Sequence, residues 1–377
     1  MRYEAKKILH VAHLTSAHPR YDIRIFHKEC VSIARYGHRV SLLVADGRGS
    51  ERKENVSFVD IGASGSRLRR FFVMPWKMFF KAREIKADIY HFHDSELLII
   101  GYLLRLFGSE VIYDSHEDLP RQILSKYYLP ALTRKIISVA MELLEDFVAK
   151  RLSGIVAATP HIGKRFEMVN SRVVVANNYP LRSEIEIVSV NQARSRKKIC
   201  YTGGVTGIRG IREIVTAIEA LDVELIVAGP MESPEFERNL KSLPGWSKVQ
   251  YLGSVSREVV FEVMGSASLG ILLYLPEPNH IEAQPNKMFE YMAAGLPVLA
   301  SKFPLWQNIV EGYGAGVCVD PKDIQAIREA IKVVLADERH LSEMGERGRQ
   351  AVLEKLNWNF EEIKILDLYS KLKVKKI

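Results

Sequence analysis

Cysteine is scarce in this 377-residue chain, which contains only Cys30, Cys200 and Cys318, far apart and without a Cys-x-x-Cys pair. This scarcity argues against a disulfide framework or a zinc site and favours a reducing cytosol. No apolar run reaches the roughly 18 residues of a membrane-spanning helix. The first stretch, MRYEAKKILHVAHL, has too short an apolar core for a signal peptide, and we interpret it as containing a first buried strand.

Internal repeats and low-complexity tracts are also absent from the sequence, and the composition of 47% hydrophobic and 26% charged residues is that of an ordinary globular protein. The length predicts two or three domains. The net charge of +8 lies entirely in residues 1–190, which have 29 basic and 21 acidic residues, whereas residues 191–377 have 24 of each. One half of the chain is therefore expected to meet an anionic partner, and nucleic acid, anionic lipid and phosphorylated substrates are all candidates on charge alone.

Short runs rich in Val and Ile alternate with helix-length segments along the whole chain. In the first half the runs are ILHVAHL, VSLLVAD, VSFVDIG, DIYHFHD, VIYDSHE, IVAATP and VVVANN, and in the second half ICYTGG, LIVAGP, VQYLGS, LGILLY, LPVLAS and GVCVD. Such a pattern predicts two doubly wound α/β domains with buried parallel strands. We place them at residues 1–180 and 190–360, separated by a polar break at about 178–198. Residues 361–377 are predicted to form a helix that packs back toward the N-terminal domain.

Residues 279–301 read NHIEAQPNKMFEYMAAGLPVLAS and contain Glu282 and Glu290, with seven residues between them. Because Asn is a good N-cap and Gly a common helix end, a helix is predicted to begin at Pro285–Asn286 and to end at Gly295. This places Glu282 on the loop before the helix and Glu290 about one turn inside it.

The first turn of this predicted helix has the features of an anion site. The backbone amides of Asn286, Lys287 and Met288 would point out of the helix N-terminus, and the Lys287 side chain adds a positive charge. A diphosphate fits such a site. Two carboxylates would repel phosphate, so we interpret Glu282 and Glu290 as acceptors for sugar hydroxyls. A capped helix with two surface glutamates is the alternative that the spacing leaves open.

The Glu-x7-Glu pattern followed by EYMAAGLPVLAS resembles the retaining nucleotide-sugar glycosyltransferases of family 4 (glycosyl transferases group 1). YTGGVTGIRGIREIVTAI, VAGP, YLGSVSREVVFEVMGSASLGILLY and WNFEEIKILDLY follow in the order of that family, so the resemblance covers most of the chain. It implies the GT-B fold, in which two Rossmann-like domains face a cleft. It also implies that the N-terminal domain binds the acceptor and that the C-terminal domain binds a nucleotide-diphosphate sugar.

The resemblance implies roles for individual residues of the second half. Glu282 would hold hydroxyls of the donor sugar and Glu290 the ribose, while Arg209 stands where the family has a diphosphate-binding cation. Lys287 and the neighbouring amides would assist Arg209, and the backbone at Val255 would meet the base.

One departure from the family concerns Gly203 and Gly204. The family commonly has Arg at the second of these positions, so one phosphate cation is missing and must be replaced. The two glycines also fit a tight turn between a strand and a helix.

After the first predicted strand the chain has His18, Pro19, Asp22 and Arg24 in place of the glycine-rich loop of many relatives. This pattern resembles a bacterial surface-polysaccharide subgroup. Asp22 and Arg24 would shape the acceptor pocket or bind a phosphate, and a structural salt bridge is the alternative.

Histidines stand at two further strand ends, in IYHFHDSELL and VIYDSHEDLP. We expect the histidines of His-x-His to point to opposite faces of a strand, so that only one of His91 and His93 faces the cleft, and we predict no metal site. By resemblance, His116 would lie near the outer hydroxyls of the donor sugar. His93, Asp94 and Glu117 would be its neighbours on the acceptor side.

Residues 66–86 interleave basic residues with Phe and Trp, a composition typical of amphipathic segments that bind anionic membrane surfaces. A helix with a core face and a solvated basic face is the alternative. Because no nucleic-acid recognition module is present, nucleic acid is the less favoured partner.

The reaction implied by the resemblance is a retaining hexosyl transfer in cell-surface polysaccharide synthesis, from a nucleotide sugar (UDP preferred over GDP) to a glycan or lipid-linked acceptor. Arg209, Lys287 and the helix N-terminus would stabilise the leaving diphosphate, and no cofactor or metal is expected, since the sequence has no Asp-x-Asp motif. The protein would be cytoplasmic, at the inner face of the membrane. A sugar-nucleotide 2-epimerase of the same fold and a non-catalytic nucleotide-sugar-binding partner of a transferase remain as alternatives.

Overall fold

The computed structural model describes residues 8–126, 128–187, 195 and 197–373, apart from the side chains of residues 67, 186 and 187. Parts of three sequence predictions therefore lie outside the described residues: residues 188–194 and 196 of the polar break, residues 374–377 of the basic tail, and the side chain of Arg67 in the basic segment. The chain divides into two compact units, an N-terminal one of Met1–Asn178 with Trp358–Ile377 and a C-terminal one of Tyr179–Asn357.

The described part of the N-terminal unit contains a sheet of eight strands in the order β3-β4-β2-β1-β5-β6-β7-β8. The strands are β1 His10–Leu14, β2 Arg39–Val44, β3 Glu51–Lys53, β4 Val56–Asp60, β5 Ile89–Phe92, β6 Glu110–Ser115, β7 Gly154–Ala157 and β8 Val173–Val175. All neighbouring pairs are parallel except β3 with β4. The sequence did not predict β3, because its three residues, Glu-Arg-Lys, are all exposed and charged.

Helices cover both faces of this sheet. They are α1 Val31–Arg35 (which continues a π-helix over Ile23–Cys30), α2 Arg67–Phe72, α3 Met74–Ile85, α4 Leu98–Leu106, α5 Leu119–Leu124, α6 Ala131–Ala149 and α7 Pro160–Glu167. The connections from β4 to β5 to β6 to β7 all advance in one direction across the sheet. Because parallel crossovers are right-handed, α3, α4 and α6 lie side by side on one face, while α1, whose connection runs the opposite way, lies on the other.

The C-terminal unit has, in its described part, a six-stranded sheet in the order β11-β10-β9-β12-β13-β14, parallel throughout. The strands are β9 Lys198–Thr202, β10 Glu224–Ala228, β11 Val249–Gly253, β12 Leu269–Leu272, β13 Val298–Ser301 and β14 Gly316–Val319. The helices are α8 Arg182–Ile187, α9 Ile211–Ile218, α10 Pro234–Lys241, α11 Arg257–Ser266, α12 Asn286–Ala293, α13 Pro304–Val310, α14 Ile324–Ala336 and α15 Glu338–Glu354. The predicted fold class, two Rossmann-like α/β domains with parallel sheets, is confirmed.

The last helix, α16 (Trp358–Ser370), follows the C-terminal unit in sequence but belongs to the N-terminal one. The indole Nε1 of Trp358 donates to Ser32 Oγ at 2.9 Å, and the Glu361 carboxylate accepts from the backbone N–H of Asn177 at 2.8 Å. None of the helices in the described ranges combines the length and apolarity needed to cross a bilayer.

Candidate active site

The order of the C-terminal sheet reverses direction at one place, between β9 and β12. The chain proceeds from β9 outward through β10 and β11, and from β12 the other way through β13 and β14. Ligands of open α/β sheets bind beyond the carboxyl ends of the strands at such a point. A ligand site is therefore expected at the loops after β9 and β12 and at helix α12, which follows the second of them.

Helix α12 is fixed to both of these central strands by Tyr291. The buried Tyr291 hydroxyl accepts a hydrogen bond from the backbone N–H of Thr202, at the end of β9, at 2.8 Å. Its ring packs so closely on Gly270 in β12 that a Cβ at Gly270 would lie 2.5 Å from the ring. Any larger residue at position 270 would push the helix away from the sheet. The position of the α12 N-terminus is thus set by the core.

Gly203, directly after β9, has a φ of +118° and lies against the Lys287 side chain from the first turn of α12. A Cβ at Gly203 would be only 1.8 Å from Lys287 Cε. The backbone conformation therefore favours glycine, and a side chain at this position would displace the end of Lys287. The consequence is that a cation lies over the strand-to-helix turn.

A second cation reaches the same turn from Arg209, at the end of a short 3₁₀ turn over Gly207–Arg209. Its Nη1 donates to the carbonyl of Gly204 at 3.2 Å, and a Cβ at Gly204 would lie 2.7 Å from that nitrogen. The guanidinium thus occupies space that any side chain at position 204 would need. Arg209 therefore places its positive charge beside position 204.

Nearby carboxylates do not fully neutralise the charges of Lys287 and Arg209. Burial, followed by the charges of Arg209 and Arg257, lowers the pKa of Lys287, and Glu290 opposes this shift only in part. Within the described chain Lys287 makes no hydrogen bond or ion pair. The first turn of α12 also has no side-chain cap, since Pro285 stands at its N-cap. The Met288 amide, predicted to point out of the helix, instead donates to the Pro285 carbonyl at 3.0 Å. Positive potential and the amides of Asn286 and Lys287 converge at this helix start, which is the arrangement that binds an anion.

Glu290 lies one turn into α12 and forms an ion pair with Arg257, whose Nη1 donates to Glu290 Oε1 at 2.9 Å. The other end of the Arg257 guanidinium, Nη2, donates to Glu184 Oε1 at 2.8 Å. Arg257 opens helix α11, close after the loop that contains Val255. One carboxylate oxygen of Glu290 is thereby held in place, and Oε2 stays available to a ligand hydroxyl.

Glu282 is half-buried in the loop between β12 and α12. The loop is pinned on both sides of it: His280 Nδ1 bonds the Leu275 carbonyl at 3.0 Å, and Trp306 Nε1 donates to the Ala283 carbonyl at 2.7 Å. Within the described residues the Glu282 carboxylate itself makes no hydrogen bond or ion pair. An anchored loop that presents an unengaged carboxylate is suited to binding hydroxyl groups.

In the N-terminal unit, His18 and Asp94 form a hydrogen-bonded pair, with His18 Nδ1 2.7 Å from Asp94 Oδ1. Burial by itself would lower the pKa of His18, but the hydrogen bond and charge of Asp94 outweigh it and raise that pKa. In turn, the pKa of Asp94 falls to about 2, since bonds from His18, Ser16 and Thr15 outweigh its burial. Half-buried His116 lies beside His18, with ring centroids 5.1 Å apart.

The sequence comparisons agree with this two-unit geometry. The model of the family described as "Glycosyl transferases group 1" matches residues 183–351, and the one described as "Glycosyltransferase Family 4" matches residues 26–178. The C-terminal unit is thus similar to the group 1 glycosyltransferases and the N-terminal unit to family 4, and together they have the GT-B fold.

Individual relatives of this protein are distant. "Uncharacterized glycosyltransferase MJ1607" of Methanocaldococcus jannaschii is 26% identical over 176 residues, which are 45% of this chain and 44% of that protein. The match thus spans less than half of the relative's length. Sucrose-phosphate synthase of Thermosynechococcus elongatus has a similar fold, with a TM-score of 0.75, 18% identity and coverage of 96% and 98% of the two chains. Anabaena Alr3699/HepE, solved with UDP and glucose, has a TM-score of 0.70 and 14% identity, with coverage of 97% of this chain and 100% of that one.

The structure corrects one expectation about the histidines of the N-terminal unit. His91 and His93 are two residues apart, and since side chains alternate along a strand, they share one face of β5. Their rings stack with centroids 5.0 Å apart. The expectation that only one of them faces a given side was wrong. Together with His13 they belong to a buried histidine cluster beneath His116.

Hydrogen bonds link this cluster into a chain. His13 Nδ1 lies 2.9 Å from His93 Nε2, and His93 Nδ1 lies 3.1 Å from His116 Nε2. At the inner end, the Tyr369 hydroxyl on α16 lies 2.6 Å from His91 Nδ1. Burial lowers the pKa of His93 to about 3, so this histidine is neutral and serves as a connector. The partially accessible member, His116, is the one able to touch a ligand.

Arg24 also departs from the expected role. Its buried guanidinium donates to Asp114 from Nε at 3.1 Å and from Nη2 at 2.9 Å, and Nη1 donates to the Ala176 carbonyl at 2.9 Å. Asp22 accepts from the backbone N–H of Arg24 at 2.8 Å and so caps the π-helix. Arg24 therefore makes the structural ion pair that was left open, and its buried guanidinium is not accessible to an acceptor.

Four buried side chains of the types that bind metals, Glu29, His91, His93 and Asp114, present atoms within 4.8 Å of one another. Arg24 lies among them, with Nε 3.1 Å from Glu29 Oε1. A guanidinium already supplies the positive charge that these carboxylates require. Desolvation further raises the pKa of Glu29 well above its usual range, which favours a neutral carboxyl. The geometry therefore does not favour a cation here.

Two contacts within the candidate sites were not predicted from the sequence. Arg257 was overlooked because a single cation after a strand has no distinguishing pattern, although its position just beyond β11 was a usable signal. His13 was overlooked because it lies in the middle of the apolar run of β1. Glu117, by contrast, is exposed and accepts a hydrogen bond from Gln122, so it stays open to a ligand.

Proposed function

We propose that this protein transfers a hexose from a nucleotide-diphosphate sugar to a glycan or lipid-linked acceptor. The observation that carries the proposal is the meeting of Arg209, Lys287 and the uncapped N-terminus of α12 at the switch point of the C-terminal sheet. This combination binds a diphosphate, and Glu282 and Glu290 lie on either side along the chain to accept hydroxyls of the sugar and the ribose. The similarity of both units to glycosyltransferase families supports the same activity.

In the proposed reaction, the bond between the anomeric carbon and the phosphate oxygen breaks, and negative charge gathers on the departing diphosphate. Arg209 and Lys287 stabilise that charge, and the α12 amides donate to the phosphate oxygens. The acceptor hydroxyl attacks the same face of the sugar, and the departing phosphate oxygen takes its proton, which retains the anomeric configuration. With two cations at the phosphate, the reaction needs no divalent metal in this proposal.

UDP is the preferred nucleotide. A neighbour of the same fold, Anabaena Alr3699/HepE, was solved with UDP and with UDP-glucose, which supports a uridine nucleotide here. The loop at Val255 would contact the base through its backbone. His116 and His18 are proposed to contact the substrates on the N-terminal unit, with Asp22 and Glu117 as further acceptor-side residues. Buried Asp94, expected on the acceptor side, instead holds His18 in place.

Residues 66–86 are proposed to bring the enzyme to an anionic membrane surface, where lipid-linked acceptors of cell-surface polysaccharide synthesis would be found. In the structure this segment forms α2 and α3, and Phe72, Trp76 and Phe80 are exposed, as are several of the interleaved cations. The exposed aromatic rings support a membrane role over a purely solvated basic face, because solvated faces are normally polar.

A binding and turnover experiment with the full chain tests the proposal. Thermal shift with UDP, GDP, ADP and uridine should show stabilisation by a nucleoside diphosphate and little by uridine, since the phosphates provide most of the contacts. UDP-sugars are then incubated with and without a panel of glycan acceptors. Transfer product supports the proposal, whereas epimerised nucleotide sugar without acceptor would establish the 2-epimerase. No stabilisation by any nucleoside diphosphate would overturn the assignment of the site.

A further inference from the structure

Helix α6 exposes an apolar stripe to solvent. Leu132, Ile136, Val139, Leu143 and Phe147 recur every three or four residues and therefore share one face over four turns. Leu132 is 71% exposed and Leu143 is 65% exposed, so this face does not pack on the rest of the unit. A surface helix of a water-soluble domain normally has the opposite pattern, with its polar residues outside.

The inner face of the same helix contains the polar groups. Ser138 is buried and donates to the Pro120 carbonyl at 2.8 Å. Glu145 is buried, accepts from the Tyr113 hydroxyl at 3.0 Å and pairs with Arg165 at 2.7 Å. These partners fix the rotation of α6 about its axis. The apolar stripe therefore cannot turn inward without breaking a buried ion pair, which makes its exposure a property of the fold.

The stripe continues onto the neighbouring helices of the same layer. The ring of Tyr102 on α4 packs edge-on against Phe147 of α6 with centroids 5.6 Å apart, and Phe79 of α3 packs against Phe107, after α4, at 5.9 Å. Leu106 and Phe107 are themselves more than 60% exposed. Exposed apolar side chains thus extend from α6 to the end of α4, an amount of apolar surface that is uncommon on a monomeric soluble domain.

Cations surround this face. The guanidinium of Arg83 lies 4.2 Å from the centroid of the Phe107 ring, and that of Arg151 lies 3.7 Å from the centroid of the Phe147 ring. Exposed Lys135 and Lys150 lie on α6 and at its C-terminal end. Apolar side chains with basic residues at their edge complement a bilayer interface that contains anionic lipids. Two copies of this face would instead bring like charges together, because a two-fold contact places the same patch on both sides.

We propose that the apolar face of α6, with the adjoining surface of α3 and α4, docks into the interface of an anionic lipid bilayer. The inference rests on the membrane part of the proposed function and extends it from residues 66–86 to helix α6. Membrane binding is expected to depend equally on both. The leucines and Phe147 enter the acyl boundary, while the surrounding cations stay at the level of the lipid phosphates. The N-terminal unit would then lie on the membrane with this helical layer facing the lipid.

Vesicle flotation of the full chain tests this docking. The variant pair Ile136→Gln with Leu143→Gln removes apolar surface without touching a buried residue, and its partition onto phosphatidylcholine/phosphatidylglycerol vesicles should fall at least tenfold. The matched control, Val333→Gln with Ile363→Gln, changes two residues of 60% and 54% exposure on other helices and should shift partition less than twofold. Vesicles of phosphatidylcholine alone should bind the unaltered protein more weakly than the anionic vesicles.

Two further measurements separate this inference from the proposed function. UDP affinity should be unchanged in the α6 pair, because that variant is distant in sequence from the nucleotide residues and lies in the other unit. If UDP binds no form of the protein, the proposed function is wrong, whereas vesicle binding would still support the docking face. Equal flotation of the α6 pair and the unaltered protein would overturn the inference. A change from dimer to monomer by sedimentation velocity in that pair, without vesicle binding by the unaltered protein, would assign the face to a second copy and also overturn it.

Discussion

Replacement of Arg209 by alanine tests the proposed diphosphate site most directly. The guanidinium has only neutral partners among the described contacts: it donates to the Gly204 carbonyl at 3.2 Å, interacts with the Tyr201 hydroxyl and lies 5.5 Å from the centroid of the Tyr274 ring. A charge-assisted hydrogen bond to a phosphate contributes about 1.5–3 kcal/mol, which corresponds to a rise of about 10- to 150-fold in the dissociation constant of UDP. The loss of the bond to Gly204 should cost only about 1 kcal/mol of folding free energy.

Isothermal titration calorimetry of UDP, UMP and uridine resolves the effect by phosphate. We expect the variant to weaken UDP strongly, UMP less, and uridine hardly at all. The control is Arg212→Ala, which removes an exposed arginine three residues away on α9 and should leave all three affinities within twofold. The reasoning would be refuted by an equal loss of affinity for uridine and UDP, or by equal effects of Arg209→Ala and Arg212→Ala.

The remaining predictions concern the carboxylates and the histidine pair. Glu282→Gln should lower kcat by about 100-fold with a melting temperature close to that of the unaltered protein, because its carboxylate makes no bond within the described chain; unchanged turnover in a transfer assay would contradict it. Arg257→Ala should release Glu290 and reduce the preference for UDP over 2′-deoxy-UDP, measured as a ratio of dissociation constants, and a preserved ratio would exclude a positioning role. His18→Gln should cost about 1–2 kcal/mol in the free energy of unfolding at about pH 5.5 and less at about pH 9, measured by urea denaturation. The sign follows from the raised pKa of His18 beside Asp94, since that stabilisation is present below the unfolded pKa and lost as pH rises through the folded one; a pH-independent difference would count against it.

The sheets were predictable because their central parallel strands, such as β5, β7, β12 and β13, are short apolar runs that are buried along their whole length. The α12 N-terminus was predictable for a similar local reason, since Pro285 and Gly295 mark its two ends. Strand β3 was not predictable, because an edge strand of three charged residues has no hydrophobic pattern and forms only through its pairing with β4.

The contacts that could not be predicted are those set by tertiary packing. That Arg209 fills the space beside Gly204 follows from the 3₁₀ turn over Gly207–Arg209, and no spacing rule gives that geometry. Likewise, the inverted polarity of α6 depends on where Arg165 and Tyr113 lie, since these residues decide which face of the helix turns inward. The error about His91 and His93 was of another kind, a misapplied strand period that the sequence could have avoided.

The position of α16 has a consequence for the order of biosynthesis. Trp358 and Tyr369 complete the polar interior of the N-terminal unit, yet they are translated after the entire C-terminal unit. During synthesis, Ser32 and His91 therefore lack these hydrogen-bonding partners until α16 has left the ribosome. We expect nascent chains that stop before residue 358 to hold the first sheet in a protease-sensitive form, and the arrival of α16 to convert it to a resistant one.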